Sequence, residues 1–169
     1  MYKIAITGPE STGKSTLAKQ LAEHYNTVWV PEYAREYLLR TNGLYSEKDL
    51  LPILKGQIDA ENKMIQQAHN FLFCDTDPLV IWVWSMVKYG RVNPEIEDAL
   101  NKHNYDFYLL TYPDLAWEKD KLRESEGQLM ELFNLYLKKI KMLKYPFIII
   151  KGNGDNRFQH AIKALKRFD

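Results

Sequence analysis

Eight residues near the start of the chain, Gly8-Pro9-Glu10-Ser11-Thr12-Gly13-Lys14-Ser15, fit G-x-x-x-x-G-K-[ST] at every position. The chemistry that asks for this spacing is the holding of a string of phosphates. Glycines at 8 and 13 let the backbone curl with its N–H groups turned inward, where a Cβ would crowd the anion. A helix starting at the lysine adds unpaired donors and the positive end of its dipole. Lys14 brings a mobile charge to the β/γ-phosphates, and the Ser15 hydroxyl is a ligand for Mg²⁺. Glu10, Ser11, Thr12 and Thr16 complete the expected nucleotide contact. A glycine-rich turn with no ligand is the plainer reading, and the apolar run before the motif and the amphipathic run after it argue against it. The motif therefore predicts binding of a nucleoside triphosphate and leaves the phosphate acceptor open.

Carboxylates at the ends of apolar runs are the next candidates, because ligands of open α/β sheets sit beyond the carboxyl ends of the strands. Asp75 follows Phe71-Leu72-Phe73-Cys74, where an acid would hold the magnesium shell. Asp77, two residues on, either serves the reaction or caps the next helix. Glu32 opens Glu32-Tyr33-Ala34-Arg35-Glu36 and has two readings. It is a general base for an acceptor hydroxyl, or it complements a helix dipole for about 0.3–1 kcal/mol. Arg35 pairs with Glu36 or Glu32, or contacts phosphate, a task suited to a guanidinium. In the polar stretch Trp117-Glu118-Lys119-Asp120-Lys121-Leu122-Arg123, Arg123 is the candidate cation of a water-excluding lid over about 112–127. Arg157, after the last apolar run, either stacks on adenine or is an exposed first-turn arginine. His24, His69, His103 and His160 are scattered without metal-ligand spacing. Trp82, Trp84 and Met86 read as core rather than as ligand stackers.

Short β-rich runs that alternate with longer amphipathic ones position these groups. Strands are expected at 2–7, 27–30, 71–74, 107–110 and 147–150. Helices are expected at 14–25, 32–40, about 46–69, about 78–89, 94–103, about 128–142 and from a cap at Asp155 onward. Ser46-Glu47-Lys48-Asp49 resembles a capping box, and Asn93-Pro94 is a cap followed by a first-turn proline. Solid apolar strands joined by helices imply parallel pairing with both faces covered. The fold class is thus a three-layer α/β domain.

Composition narrows the functions. The 169 residues carry 23 Lys plus Arg against 22 Asp plus Glu, a net charge of +1 that gives no basis for a nucleic-acid partner. One cysteine, Cys74, excludes an internal disulfide framework and suits a reducing, cytoplasmic setting. The apolar run Leu79 to Trp84 is far shorter than the roughly 20 residues of a membrane span. One domain covering 1–169 is expected.

Taken in order, Gly8–Ser15, Pro31-Glu32-Tyr33-Ala34-Arg35-Glu36, Cys74-Asp75-Thr76-Asp77 and Trp117…Asp120…Leu122-Arg123 resemble the ribosylnicotinamide kinase domain of bifunctional bacterial NAD-biosynthesis regulators. The resemblance implies a P-loop kinase with a five-stranded parallel sheet and a lid. It implies ATP and Mg²⁺ as cofactors and transfer of phosphate to the 5′-hydroxyl of nicotinamide riboside, giving nicotinamide mononucleotide. Lys14, Glu32, Asp75, Asp77 and Arg123 would then act in the transfer, with Glu32 or Asp77 taking the hydroxyl proton. Tyr33, Arg35, Trp117 and Asp120 would stand with Glu32 and Asp77 about the acceptor. The alternatives are a kinase for another nucleoside or a nucleoside monophosphate, and an ATP-binding switch that regulates a partner. Two departures stand out: Pro31 occupies a position where relatives can carry an aromatic, and Gly127-Gln128-Leu129 follows the lid arginine where they often carry a basic residue. Because the chain opens almost at the phosphate motif, the DNA-binding and adenylyltransferase segments of the long relatives are expected to be missing.

Overall fold

Ile4, Ala5 and Ile6 have no polar edge to offer water, so the strand they form needs cover on both faces, and all three are completely buried. In the computed structural model, which describes residues 1–102 and 105–168, this strand is β1 (Tyr2–Thr7). It is the centre of a five-stranded parallel sheet in the order β2-β3-β1-β4-β5. The partners are β2 (Trp29–Val30), β3 (Phe71–Asp75), β4 (Phe107–Thr111) and β5 (Phe147–Ile150). The expected three-layer α/β architecture is therefore present.

Strand alternation sorts the core. Ile4 and Ile6 point to one face, where Leu17, Ala18 and Leu21 of α1 (Lys14–His24) and Ala161 and Leu165 of α7 (Gly154–Leu165) cover them. Ala5, Leu72 and Cys74 point to the other face. There Leu79 and Val83 of α4 (Pro78–Tyr89) join Phe133, Tyr136 and Ile140 of α6 (Leu129–Leu143). A third cluster stands off the sheet. In it α2 (Tyr33–Arg40) and α3 (Glu47–Met64) pack Ala34, Leu50, Ile53 and Leu54 against Ile81 of α4 and Ile96 of α5 (Pro94–Asn101). That helical annex faces the nucleotide motif across a cleft.

Several boundaries differ from expectation for local reasons. β2 is cut to two residues because the Thr27 hydroxyl takes over the pairing, donating to the Phe71 carbonyl at 2.7 Å and accepting from the His69 amide at 2.8 Å. The long helix stops at Met64 and tightens into a 3₁₀ turn over Ile65–Gln67. Asn153, not Asp155, stands at the N-cap of α7, and Asp155 lies in its first turn, where a carboxylate complements the dipole. The capping box is present, the Ser46 amide donating to Asp49 Oδ2 at 2.7 Å, and the Asn93 side chain caps α5 by accepting from the Glu95 amide at 2.8 Å. The expected last residue of α5, His103, is outside the described residues.

Candidate functional site

The turn from β1 into α1 is built by close approach. Gly8 has φ +134°, and a Cβ there would come within 2.5 Å of Thr111 Oγ1 and 2.9 Å of the Thr111 carbonyl. The close approach of β4 thus demands a glycine here. Thr12 locks the inside of the loop. Its buried hydroxyl donates to the Pro9 carbonyl at 2.7 Å and lies 2.7 Å from Thr111 Oγ1. Gly13, at φ +76°, is the N-cap of α1, so the amides that follow it open toward the cleft. Lys14 Nζ lies over the loop and donates to the Pro9 carbonyl at 2.7 Å.

Residues Gly8 through Thr16 wall one side of a cavity of about 580 Å³. Glu32, Arg35 and Arg123 also stand on its wall. Asp75 reaches the loop from β3, whose register sets it beside Ile6. Its carboxylate is 1 % exposed, and neither oxygen has a well-formed hydrogen bond within the protein. Burial, followed by the charge of Glu32, pushes Asp75 up to about 6, against the pull of Lys14 and the Ser15 hydroxyl. A buried, unpaired carboxylate beside a serine hydroxyl at a phosphate loop fits a hard cation that takes its remaining ligands from phosphate and water. Among the described residues no cluster of three or more His, Cys, Asp or Glu side chains forms an all-protein metal cage.

Gln57 of α3 holds Glu32 next to this carboxylate. Its Oε1 accepts from the Tyr33 amide at 2.8 Å, and its Nε2 donates to the Asp75 carbonyl at 3.4 Å. Glu32 is the N-cap of α2 by position, but its side chain makes no capping bond, which leaves the carboxylate on the cavity wall.

Asp77 has a different place. It is completely buried, with Oδ1 accepting from the Thr7 hydroxyl at 2.7 Å and Oδ2 from the Leu79 amide at 3.1 Å. Its expected part in catalysis or acceptor binding gives way to the capping reading. Burial pushes it up to about 7, the hydrogen bonds opposing. Tyr33 also turns from the wall, its ring against Gly56 of α3 and its hydroxyl accepting from Arg40 at 2.9 Å. Trp117 and Asp120 are not on the wall. Asp120 instead accepts from Arg35 Nη2 at 2.7 Å, and the Leu122 amide and this guanidinium hold its carboxyl below the usual range.

Arg157 is neither exposed nor free. Its guanidinium is buried and donates to the carbonyls of Gly152 (2.7 Å), Thr12 (3.0 Å) and Tyr112 (3.0 Å), and it is paired with Asp114. It ties the phosphate loop to the ends of β4 and β5 while keeping a place on the cavity wall. Arg123 Nη1 donates to Ser11 Oγ at 3.3 Å and to the Glu118 carbonyl at 2.5 Å, which sets its charge at the loop.

Sequence reasoning missed an aromatic part of the wall. Trp84 and Tyr45 stand there with Lys88 and Glu124. Trp84 Nε1 donates to the Tyr45 hydroxyl at 3.0 Å, and the two rings meet edge-on at 4.8 Å. Tyr45 in turn donates to Glu124 Oε2 at 2.7 Å, and Lys88 pairs with the same carboxylate at 2.9 Å. Trp82, two residues before Trp84, does behave as expected of core, packing against α5 and bonding Glu97.

A family model described as an AAA domain matches residues 3–157. The trifunctional NAD biosynthesis/regulator protein NadR of Salmonella typhimurium is 27% identical over 172 residues, which covers 96% of this chain and 42% of that protein. The chain thus spans less than half the length of this relative. A crystal structure of NadR protein in complex with NR superposes with a TM-score of 0.86 at 22% identity, over 99% of this chain and 50% of that one. Deoxyadenosine kinase from M. mycoides with bound dATP superposes with a TM-score of 0.63 at 17% identity, over 98% of this chain and 100% of that one. The fold is that of the P-loop nucleoside kinases.

Proposed function

The chain belongs to the AAA domain family, and from that premise we propose that it is an ATP-dependent kinase that phosphorylates the 5′-hydroxyl of nicotinamide riboside. One observation carries the reading. The phosphate loop, Glu32 and Arg123 line one cavity together with the aromatic side chains of Tyr45 and Trp84, and the unpaired Asp75 lies buried against the loop. Similarity to NadR along nearly the whole chain supports nicotinamide riboside over other nucleosides, and the lower TM-score of the deoxyadenosine kinase agrees.

In this reading the backbone N–H groups of residues 10–15 and Lys14 hold the ATP phosphates. Ser15 and Asp75 would hold Mg²⁺, which would neutralise charge on the phosphates. Glu32 accepts the proton of the 5′-hydroxyl, since Asp77 is spent as a cap. Arg123 stabilises charge on the migrating group, and the 112–127 segment acts as a lid that excludes water. Arg157 positions the loop from behind.

The test is acceptor-dependent ATP consumption with Mg²⁺ over nicotinamide riboside, uridine, cytidine and thymidine. Turnover with nicotinamide riboside at least tenfold above the others is the expected result. Turnover with another nucleoside moves the acceptor, and ATP hydrolysis indifferent to every acceptor overturns the kinase reading.

A further inference from the structure

A carboxylate inside a phosphate-binding loop repels the ligand that the loop exists to hold. Glu10 is such a carboxylate, the third residue of the motif and part of the cavity wall. Its Oε1 accepts two backbone hydrogen bonds from the opposite segment, from the amide of Glu124 at 2.8 Å and that of Ser125 at 2.5 Å. These two amides directly follow Arg123 in the chain. The next loop residue, Ser11, sits in the left-handed region at φ 58° and accepts through Oγ from the Glu118 amide at 3.0 Å and from Arg123 at 3.3 Å. Farther out, Arg35 bonds Asp120.

We infer that Glu10 is a positioning residue, a latch that fixes the lid backbone behind Arg123 and so holds the Arg123 guanidinium over the phosphate loop. The inference rests on the kinase reading of the site and adds a task for a residue that sequence reasoning placed among the nucleotide contacts. Charge-assisted bonds to backbone amides are among the stronger hydrogen bonds, and two converging on one oxygen fix both position and orientation. Glu10 reaches the lid at Glu124 and Ser125, while Ser11 meets it at Glu118 and Arg123, so the two loop residues hold the segment on both sides of the guanidinium. The same lid residue carries the effect to the aromatic part of the wall: the Glu124 side chain engages Lys88 and Tyr45 while its amide is held by Glu10. Closure over the phosphates and completion of the aromatic wall are thus one movement.

The experiment compares the wild-type chain with Glu10→Ala and Glu10→Gln. Trypsin cleavage within the lid, at Lys119, Lys121 and Arg123, is timed with saturating Mg·ATP, and turnover is measured beside ATP affinity. Glu10→Ala is expected to speed lid cleavage and to lower kcat, each by about tenfold, while the Kd for ATP weakens less than about threefold or tightens. Glu10→Gln, nearly isosteric and still able to accept through its amide oxygen, is expected between the two. Wild-type lid protection in Glu10→Ala, or a loss of ATP affinity equal to the loss of kcat, overturns the latch. If Glu10→Ala does not fold, Glu10→Gln decides, and unchanged cleavage and kcat in it overturn the proposal. If no acceptor is turned over, the kinase reading fails by itself, and lid cleavage in the presence of Mg·ATP still judges the latch.

Discussion

In the proposed kinase, Asp75 sets stability against function. Its carboxylate is buried without a firm partner, and its folded-state value of about 6 exceeds the ordinary 3.8. Between pH 4 and 6 an unfolded chain releases this proton while the folded chain retains it, so stability falls as pH rises through that window. The charge then costs on the order of 3 kcal/mol above pH 7 in metal-free protein. Asp75→Asn is therefore expected to raise the Tm of the metal-free chain by several degrees at pH 8, with no gain at pH 4, and to remove Mg²⁺-dependent turnover. Thermal melts in chelator at the two pH values check this. A gain of equal size at both would mean that shape rather than charge sets the effect. Asp77, two residues on, shows the limit of residue type as evidence, since a helix cap and a general base both ask for an aspartate. Only its contacts with Thr7 and the Leu79 amide separate them.

At the scale of elements, the packing of α2 on α3 decides where Glu32 and Arg35 point. Gly56 is in the interior of α3, and a Cβ there would fall 2.0–2.4 Å from ring atoms of Tyr33. On helix propensity alone Gly56→Ala gains about 1 kcal/mol. Overpacking against an aromatic ring costs about 1–3 kcal/mol and wins. Denaturant unfolding should show Gly56→Ala net destabilised by up to about 2 kcal/mol, and Tyr33→Ala should cancel most of that loss. Strict additivity of the pair would remove the ring as the cause. None of this is visible in the sequence, where Gly56 interrupts an amphipathic run without explanation. The strands were legible because a covered parallel strand has to be apolar throughout, as Phe71–Cys74 and Phe107–Leu110 are. The phosphate loop was legible because its glycines and lysine have few substitutes. The aromatic wall was not, because Trp84 lies on a helix that is apolar on every side, and periodicity does not tell a core-facing tryptophan from one that faces a cavity. The Glu10 latch left no trace either, since its donors are backbone amides that any residue would supply.

For the molecule as a whole, the cleft divides the sheet with α1 and α7 from the annex of α2, α3 and α5, and the 112–127 segment touches both sides. It meets the phosphate loop through Glu10 and Ser11 and the annex through Arg35 and Tyr45. A ligand that fills the cavity therefore binds the folded chain at several elements and the unfolded chain at none, and stability must rise by RT ln(1 + [L]/Kd). At one hundred times its Kd, Mg·ATP contributes about 2.7 kcal/mol, which for a chain of this size corresponds to a Tm increase of about 5–10 °C. Lys14→Ala should lose most of that increase, and its ligand-free Tm should fall only modestly at neutral pH, where Asp75 loses the pull of the Lys14 charge and Nζ otherwise bonds a loop carbonyl. Differential scanning fluorimetry across an Mg·ATP titration measures both. A Tm that does not move with Mg·ATP would mean that the cavity does not take a triphosphate, and with it the chemistry of Asp75, Glu32 and Arg123 would lose its substrate.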